Sequence, residues 1–171
     1  LSEDKQLHFI HSKLQNLGVP LCKCNSKGWY YTEKLAVIFN EITEGLYDEK
    51  LFDRLDYKFE SISRNMYPIY LQLLQKNKFF DYAGIQKTMY IELTTNDYFL
   101  NQVAKNYQYI FVDEYQDVNK LQDLVVKELQ RKMESILVGD PNQSIYAFRG
   151  ARPELFLNRL NNSSKIFHLN I

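Results

Sequence analysis

Leu7, Ile10, Leu14 and Leu17 recur at three-and-four spacing behind Ser2, and the pattern halts at Gly18 and Pro20. This spacing predicts an amphipathic helix capped by Ser2. After a loop containing CKCNSKG, Thr32 is placed to cap a second helix with Leu35, Ile38, Phe39 and Ile42 on one face, closed by Gly45. Leu51, Phe52, Leu55, Phe59 and Ile62 predict a third helix. Pro68, at a first helical position, opens a fourth carrying Tyr67, Tyr70, Leu71 and Leu74. Asp81 caps a further helix to about Ile91, and Thr95 or Asn96 caps one through Lys105.

The period changes after Asn106. Tyr109–Val112 reads as a short apolar core strand, and Leu121, Leu124, Val125 and Leu129 form a helical stripe with Asn119 as its cap. Ser135–Val138 is a second strand, Pro153–Leu160 a second helix and Lys165–Leu169 a third strand. Strands alternating with helices over short connections predict a parallel sheet. Chemistry in such a sheet gathers at the carboxyl ends of the strands. Asp113–Glu114 and Gly139–Asp140 stand at those ends.

Composition adds bounds. The 171 residues are 45% hydrophobic and 25% charged, enough to bury a core without staples. Acids and bases balance at 21 each, so nucleic-acid binding would have to be local rather than driven by a global field. No apolar run has membrane-spanning length, and two cysteines fit a cytoplasmic, reducing compartment better than a disulfide framework. A start without methionine and an end without a cap suggest a segment of something longer.

Taken alone, a strand running into two acids is more often a solvated turn than a site. The chemical alternative is nucleotide hydrolysis, in which the first acid holds Mg²⁺ and the second orients or deprotonates the attacking water. The second strand strengthens that alternative. ILVGDPNQSIYAFRGA, residues 136–151, leaves it through a loop rich in hydrogen-bonding groups. Gln143 could reach a terminal phosphate or the attacking water. Tyr146, Phe148 and Arg149 suit single-stranded nucleic acid, whose bases stack on rings while arginine takes phosphate. The plain alternative is that both aromatics are core residues.

VDEYQDVN with VGDPNQSIYAFRGA closely resembles the second and third helicase motifs of UvrD/PcrA/Rep-type superfamily 1 DNA helicases, spacing included. NKFFDYAGI, residues 77–85, is similar to the segment by which those enzymes re-enter their first RecA-like domain, although Gly84 stands where the family usually has an acid. HLNI resembles the lead-in to the fourth motif. The resemblance implies an α/β fold: residues 79–171 as the C-terminal part of a RecA-like P-loop NTPase domain, its parallel sheet partial, and residues 1–78 as a mostly α-helical insertion. It implies ATP and Mg²⁺ as cofactors, single-stranded and duplex DNA as partners, 3′ to 5′ travel, and the remainder of a parent helicase chain. By the same resemblance Asp113 coordinates Mg²⁺, Glu114 is the general base, and Gln116 and Asp117 tie the nucleotide site to the neighbouring loop. Asp140 shapes that loop and Gln143 senses the γ-phosphate. Tyr146, Phe148 and Arg149 carry the nucleotide state to DNA. Phe148 stands where many relatives have tryptophan, and Pro141–Asn142 replace common acids.

None of the six glycines fits G-x-x-x-x-G-K-[ST], so the loop that cradles phosphates is not in this sequence and the segment alone is expected to be inactive. Two other functions compete: a non-catalytic DNA-binding or scaffold module on the helicase fold, and a P-loop ATPase that does not act on DNA. Intact Asp113, Glu114 and Gln143 weigh against the first, and the Tyr-Ala-Phe-Arg-Gly run against the second. His8, His11, Cys22 and Cys24 are zinc-type ligands, but C-x-C is tight and the histidines come first, which favours ordinary surface histidines and thiols. Trp29-Tyr30-Tyr31 reads as a hydrophobic anchor before a DNA-facing stack, and the mixed charges from Glu41 to Arg64 as a solvated helical face.

Overall fold

The computed structural model describes residues 1–16, 27–144, 152–162 and 165–167. It is mostly helical, with a small two-stranded parallel sheet. The chain divides into two compact units, Leu1–Thr88 and Met89–Ile171. Among the described residues no helix is long and apolar enough to cross a membrane.

The first unit packs α1 (Glu3–Asn16) on α2 (Lys27–Glu44), and α2 on α3 (Tyr57–Lys76). Its core is Ile10, Leu35, Ile38, Phe39, Ile42, Phe52, Tyr67, Tyr70 and Leu74. The Phe39 ring lies 5.6 Å from that of Tyr67 and 5.0 Å from that of Tyr70. Three expectations are corrected here. Thr32 does not cap α2, which begins five residues earlier; Thr32 is buried inside it, its Oγ1 3.0 Å from His11 Nδ1. Pro68 does not open a helix, because α3 runs through it from an Asp56 cap that accepts from the Lys58 and Phe59 amides at 3.0 and 3.2 Å. A proline inside a helix removes one hydrogen bond, but burial of Ser63, Tyr67, Tyr70 and Leu74 along one face holds the helix through the break. The apolar residues from Leu51 to Ile62 are divided between a 3-10 turn, Glu49–Arg54, and the start of α3.

Both long helices end on a non-glycine residue in the left-handed region. After α2, Tyr47 N donates to Ile42 O (2.9 Å) and Leu46 N to Thr43 O (3.1 Å), with Leu46 at φ 56°. After α3, Phe79 N donates to Leu74 O (2.9 Å) and Lys78 N to Gln75 O (3.1 Å), with Lys78 at φ 55°. Each is a Schellman closure, a position that favours glycine. Gly45 therefore lies next to the left-handed residue rather than at it. Asp81 precedes α4 (Tyr82–Thr95), and its Oδ1 accepts the Gly84 amide at 2.6 Å. The Asp81 carboxylate is buried, where it accepts the Tyr70 hydroxyl at 2.5 Å; Gln6 donates to Asn40 at 2.8 Å and to the Tyr70 oxygen at 3.0 Å. A polar cluster thus joins α1, α2, α3 and the start of α4. Trp29 stacks on His11 at 4.4 Å and meets His8 edge-on at 5.1 Å, so both histidines serve as ring partners. Cys22 and Cys24 lie outside the described residues.

In the second unit, α5 (Asp97–Asn106) is capped by Asn96, whose side chain accepts from Phe99 N at 3.0 Å. Then come β1 (Tyr109–Val112), α6 (Lys120–Leu129), β2 (Glu134–Leu137) and α7 (Pro153–Asn162). β1 pairs with β2 in parallel, Tyr109 beside Glu134 and Val112 beside Leu137. Asn119 and Gln122 form a reciprocal capping box at the start of α6. Val112 and Leu137 pack against Tyr115, Val118, Val126 and Phe156.

The strands are not fully buried, as core strands would be: Tyr109, Phe111 (71% exposed) and Ile136 occupy an open face. Strand residues alternate sides, so a single covering layer buries only every second one. The buried face of α6 also differs from the expected stripe, since Leu121, Asp123 and Val126 are its buried residues. A third strand is absent at 165–167, which are irregular, with Phe167 84% exposed. These residues have no paired neighbour among the described residues, and a strand needs one. The rest of that expected strand lies outside the described residues.

Candidate active site

β1 delivers Asp113 and Glu114, both exposed, at its carboxyl end. A parallel partner then fixes where the chain turns: Val138 N donates to Val112 O at 2.8 Å, and Tyr115 N to Val138 O at 2.9 Å. Between these two bonds Glu114 takes a left-handed backbone, φ 51° and ψ 42°. For a residue with a Cβ this conformation costs about 1–2 kcal/mol, so its surroundings must hold it. Several bonds do so. Asp113 Oδ1 accepts the Glu114 amide at 2.9 Å, and Glu114 O accepts the Asp117 amide at 2.9 Å, opening a 3-10 turn over Tyr115–Asp117. Gln116 Nε2, on the side chain, donates to Glu114 Oε2 at 2.6 Å.

Gln116 is buried and faces two ways. Its Oε1 accepts the Asp140 amide at 3.0 Å, so one side chain joins the acid turn to the loop after β2. Gly139 makes room for it. A Cβ there would stand 2.4 Å from Gln116 Oε1 and 3.0 Å from Tyr115 N. Asp140 then organises its own loop, Oδ1 accepting the Asn142 amide and Oδ2 the Gln143 side-chain amide, both at 2.9 Å. The Asn142 amide and then the Gln143 side chain hold the Asp140 carboxyl below its ordinary pKa. Ser144 Oγ reaches Gln116 O at 3.4 Å and Asp117 Oδ1 at 3.5 Å, linking the two loops again.

Asp113, Glu114, Gln116, Asp117, Asp140 and Gln143 are thus drawn from two adjacent strand ends into one network. Gln143 sits at its edge, exposed and bonded to Asp140. Tyr146, Phe148 and Arg149 lie outside the described residues. The arrangement presents two solvent-facing carboxylates at a strand end, one of them aimed by a buried amide. It can bind a hard cation through oxygen and orient a water.

Beneath the turn is a second layer that sequence reasoning missed. Tyr115 is fully buried, its ring 5.8 Å from that of Phe156 on α7, and its hydroxyl donates to Asp123 Oδ1 at 2.7 Å. Arg159 Nε donates to the same oxygen at 2.9 Å, and Lys127 Nζ lies 2.8 Å from Oδ2. Burial raises the Asp123 pKa, but Lys127, Tyr115 and Arg159 together bring it below its ordinary value. Burial, followed by the Asp123 hydrogen bond, pushes the Tyr115 phenol up. The Asp123 to Lys127 spacing was the available signal. It reads equally well as an exposed helical pair, and nothing local announces Arg159.

Comparison with known proteins gives the family of the chain. Residues 2–164 match the family model described as the UvrD/REP helicase N-terminal domain. A probable DNA helicase II homolog of Mycoplasma capricolum subsp. capricolum is 30% identical over 162 residues, covering 92% of this chain and 22% of that protein. An ATP-dependent helicase/nuclease subunit of Lactobacillus gasseri is 38% identical over 100 residues, covering 55% of this chain and 8% of that protein. Its counterpart of the same name in Alkaliphilus metalliredigens is 41% identical over 69 residues, 40% of this chain and 6% of that protein. The chain therefore spans about a fifth or less of the length of these relatives. With a family match running almost end to end, the chain belongs to the UvrD/REP helicases, as part of their N-terminal domain.

Proposed function

We propose that this chain is the segment of an ATP-dependent DNA helicase, travelling 3′ to 5′, that carries the hydrolytic acids and the loop coupling them to DNA. The observation that carries the reading is the Gln116 bridge, which fastens Glu114 on one side and the Asp140 loop on the other. Asp113 would hold Mg²⁺, which takes one or two carboxylates and completes its shell with water and phosphate. An exposed carboxylate at a strand end suits that donor set. The bound ion would neutralise charge developing on the phosphates. Glu114 would accept a proton from the attacking water, and Gln143 would follow the γ-phosphate. Tyr146, Phe148 and Arg149 would meet the DNA strand. Residues 79–171 would belong to the first RecA-like domain, and residues 1–78 to a helical insertion in it.

The phosphate-cradling glycine loop is not among these residues, so the 171-residue chain alone should not turn over ATP. The test is ATP hydrolysis by the complete parent protein, with and without single-stranded DNA, beside the isolated chain. Hydrolysis by the parent that rises with DNA, and none by the chain, is the expected result. A parent that binds DNA without hydrolysing ATP would instead make the segment a scaffold.

A further inference from the structure

Asp123, on α6, and Arg159, on α7, stand apart from the six residues of the acid network, yet they pack beneath the turn that carries its acids. The Asp123 side chain is only 3% exposed and still has three side-chain partners: Tyr115, Lys127 and Arg159. Arg159 spreads its guanidinium over several acceptors at once. Nε reaches Asp123 Oδ1, Nη1 reaches Gln130 Oε1 at 2.8 Å, and Nη2 reaches the Asp123 carbonyl at 3.4 Å. Gln130 in turn donates to Ser135 Oγ on β2. One arginine on α7 thereby braces both ends of α6 and, through Gln130, the strand before the Asp140 loop.

Tyr115 is where this brace meets the acids. It follows Glu114 directly and is held at three points: its amide by Val138 O, its ring by Phe156 and its hydroxyl by Asp123. Glu114 has a left-handed backbone, a conformation that persists only while its surroundings hold it, and Tyr115 is its immediate neighbour in the turn. Arg152 N, donating to Val118 O at 3.2 Å, ties the same turn to the start of α7.

We propose that Arg159 is a positioning residue for Glu114, acting through Asp123 and Tyr115, so that the acid turn is held in shape from α7. The inference rests on the reading of Glu114 as the general base. Its test uses the complete helicase as wild type, Tyr115→Phe, Arg159→Lys and the double variant. ATP hydrolysis is measured at saturating single-stranded DNA, with melting temperature followed in parallel. Tyr115→Phe keeps the ring and loses only the hydroxyl; Arg159→Lys keeps the charge and loses the fork that spans Asp123 and Gln130. Each variant should lower kcat about 10-fold with KM for ATP changed less than about twofold, because even a small misplacement of a catalytic group costs up to about 10²-fold. The double variant should be little worse than either single one, since both act on one linkage. A kcat within about twofold of wild type in both single variants overturns the proposal, whatever happens to melting, because a purely structural brace would move only stability. A wild type that does not hydrolyse ATP, or whose hydrolysis survives Glu114→Gln, overturns the reading of the acids and this inference with it.

Discussion

Gly139 illustrates how closely the two loops are fitted. Its missing Cβ leaves the space that Gln116 Oε1 and the Tyr115 amide occupy. Gly139→Ala should therefore destabilise the chain by about 1–3 kcal/mol, the usual range for forced overpacking, as read from the denaturant midpoint. Glu44 makes a separate prediction in the first unit. Burial raises its pKa from 4.5 to about 7, and Glu41 and Asp81 add to the rise. The folded state thus holds this proton more tightly than the unfolded state. The stability it contributes is fully present below pH 4.5 and is lost as pH rises through about 7. Glu44→Gln should be more stable than wild type at about pH 8 by on the order of 1–3 kcal/mol, and the two should converge near pH 4. Thermal melts across that range would check it. The sequence had placed Glu44 in a solvated face, because burial of a single acid is set by distant helices.

Among elements, legibility followed how local the determinant is. β1 was readable at both ends, and the Asn119 cap of α6 was too, because apolar runs and capping chemistry act over a few residues. Thr32 and Pro68 misled because each is a local boundary signal inside a helix held by packing from elsewhere. Helix ends offered a weaker signal still, since Leu46 and Lys78 occupy positions where glycine is the usual marker. Lys78, exposed at φ 55°, gives a direct check of that strain. Lys78→Gly should stabilise the first unit by about 0.5–1 kcal/mol, the left-handed penalty removed less the added chain entropy of glycine. A chemical-denaturation midpoint shifted upward is the expected readout.

For the whole molecule, the family was legible in the sequence because its two motifs are long and unusual, and residues 2–164 match it. The acids, Gln116 and Asp140 were each named from a motif position, and the structure brings them into one network without testing their roles. The brace of Asp123 and Arg159 was not, since its partners lie 36 residues apart and meet only when α7 folds onto the acid turn. The open face of the sheet was likewise hidden, because Tyr109–Val112 is apolar at every position and so has no polar side to mark which face is uncovered. On the proposed reading Glu114, held left-handed at the end of β1, is the base that activates water in a helicase that contains this chain. The most direct measurement is steady-state ATP hydrolysis by the complete protein carrying Glu114→Gln, alongside its nucleotide affinity. Hydrolysis should fall by about 10²–10⁴-fold while nucleotide binding stays near wild type. Hydrolysis at the wild-type rate with Gln at position 114 would show that Glu114 is not that base.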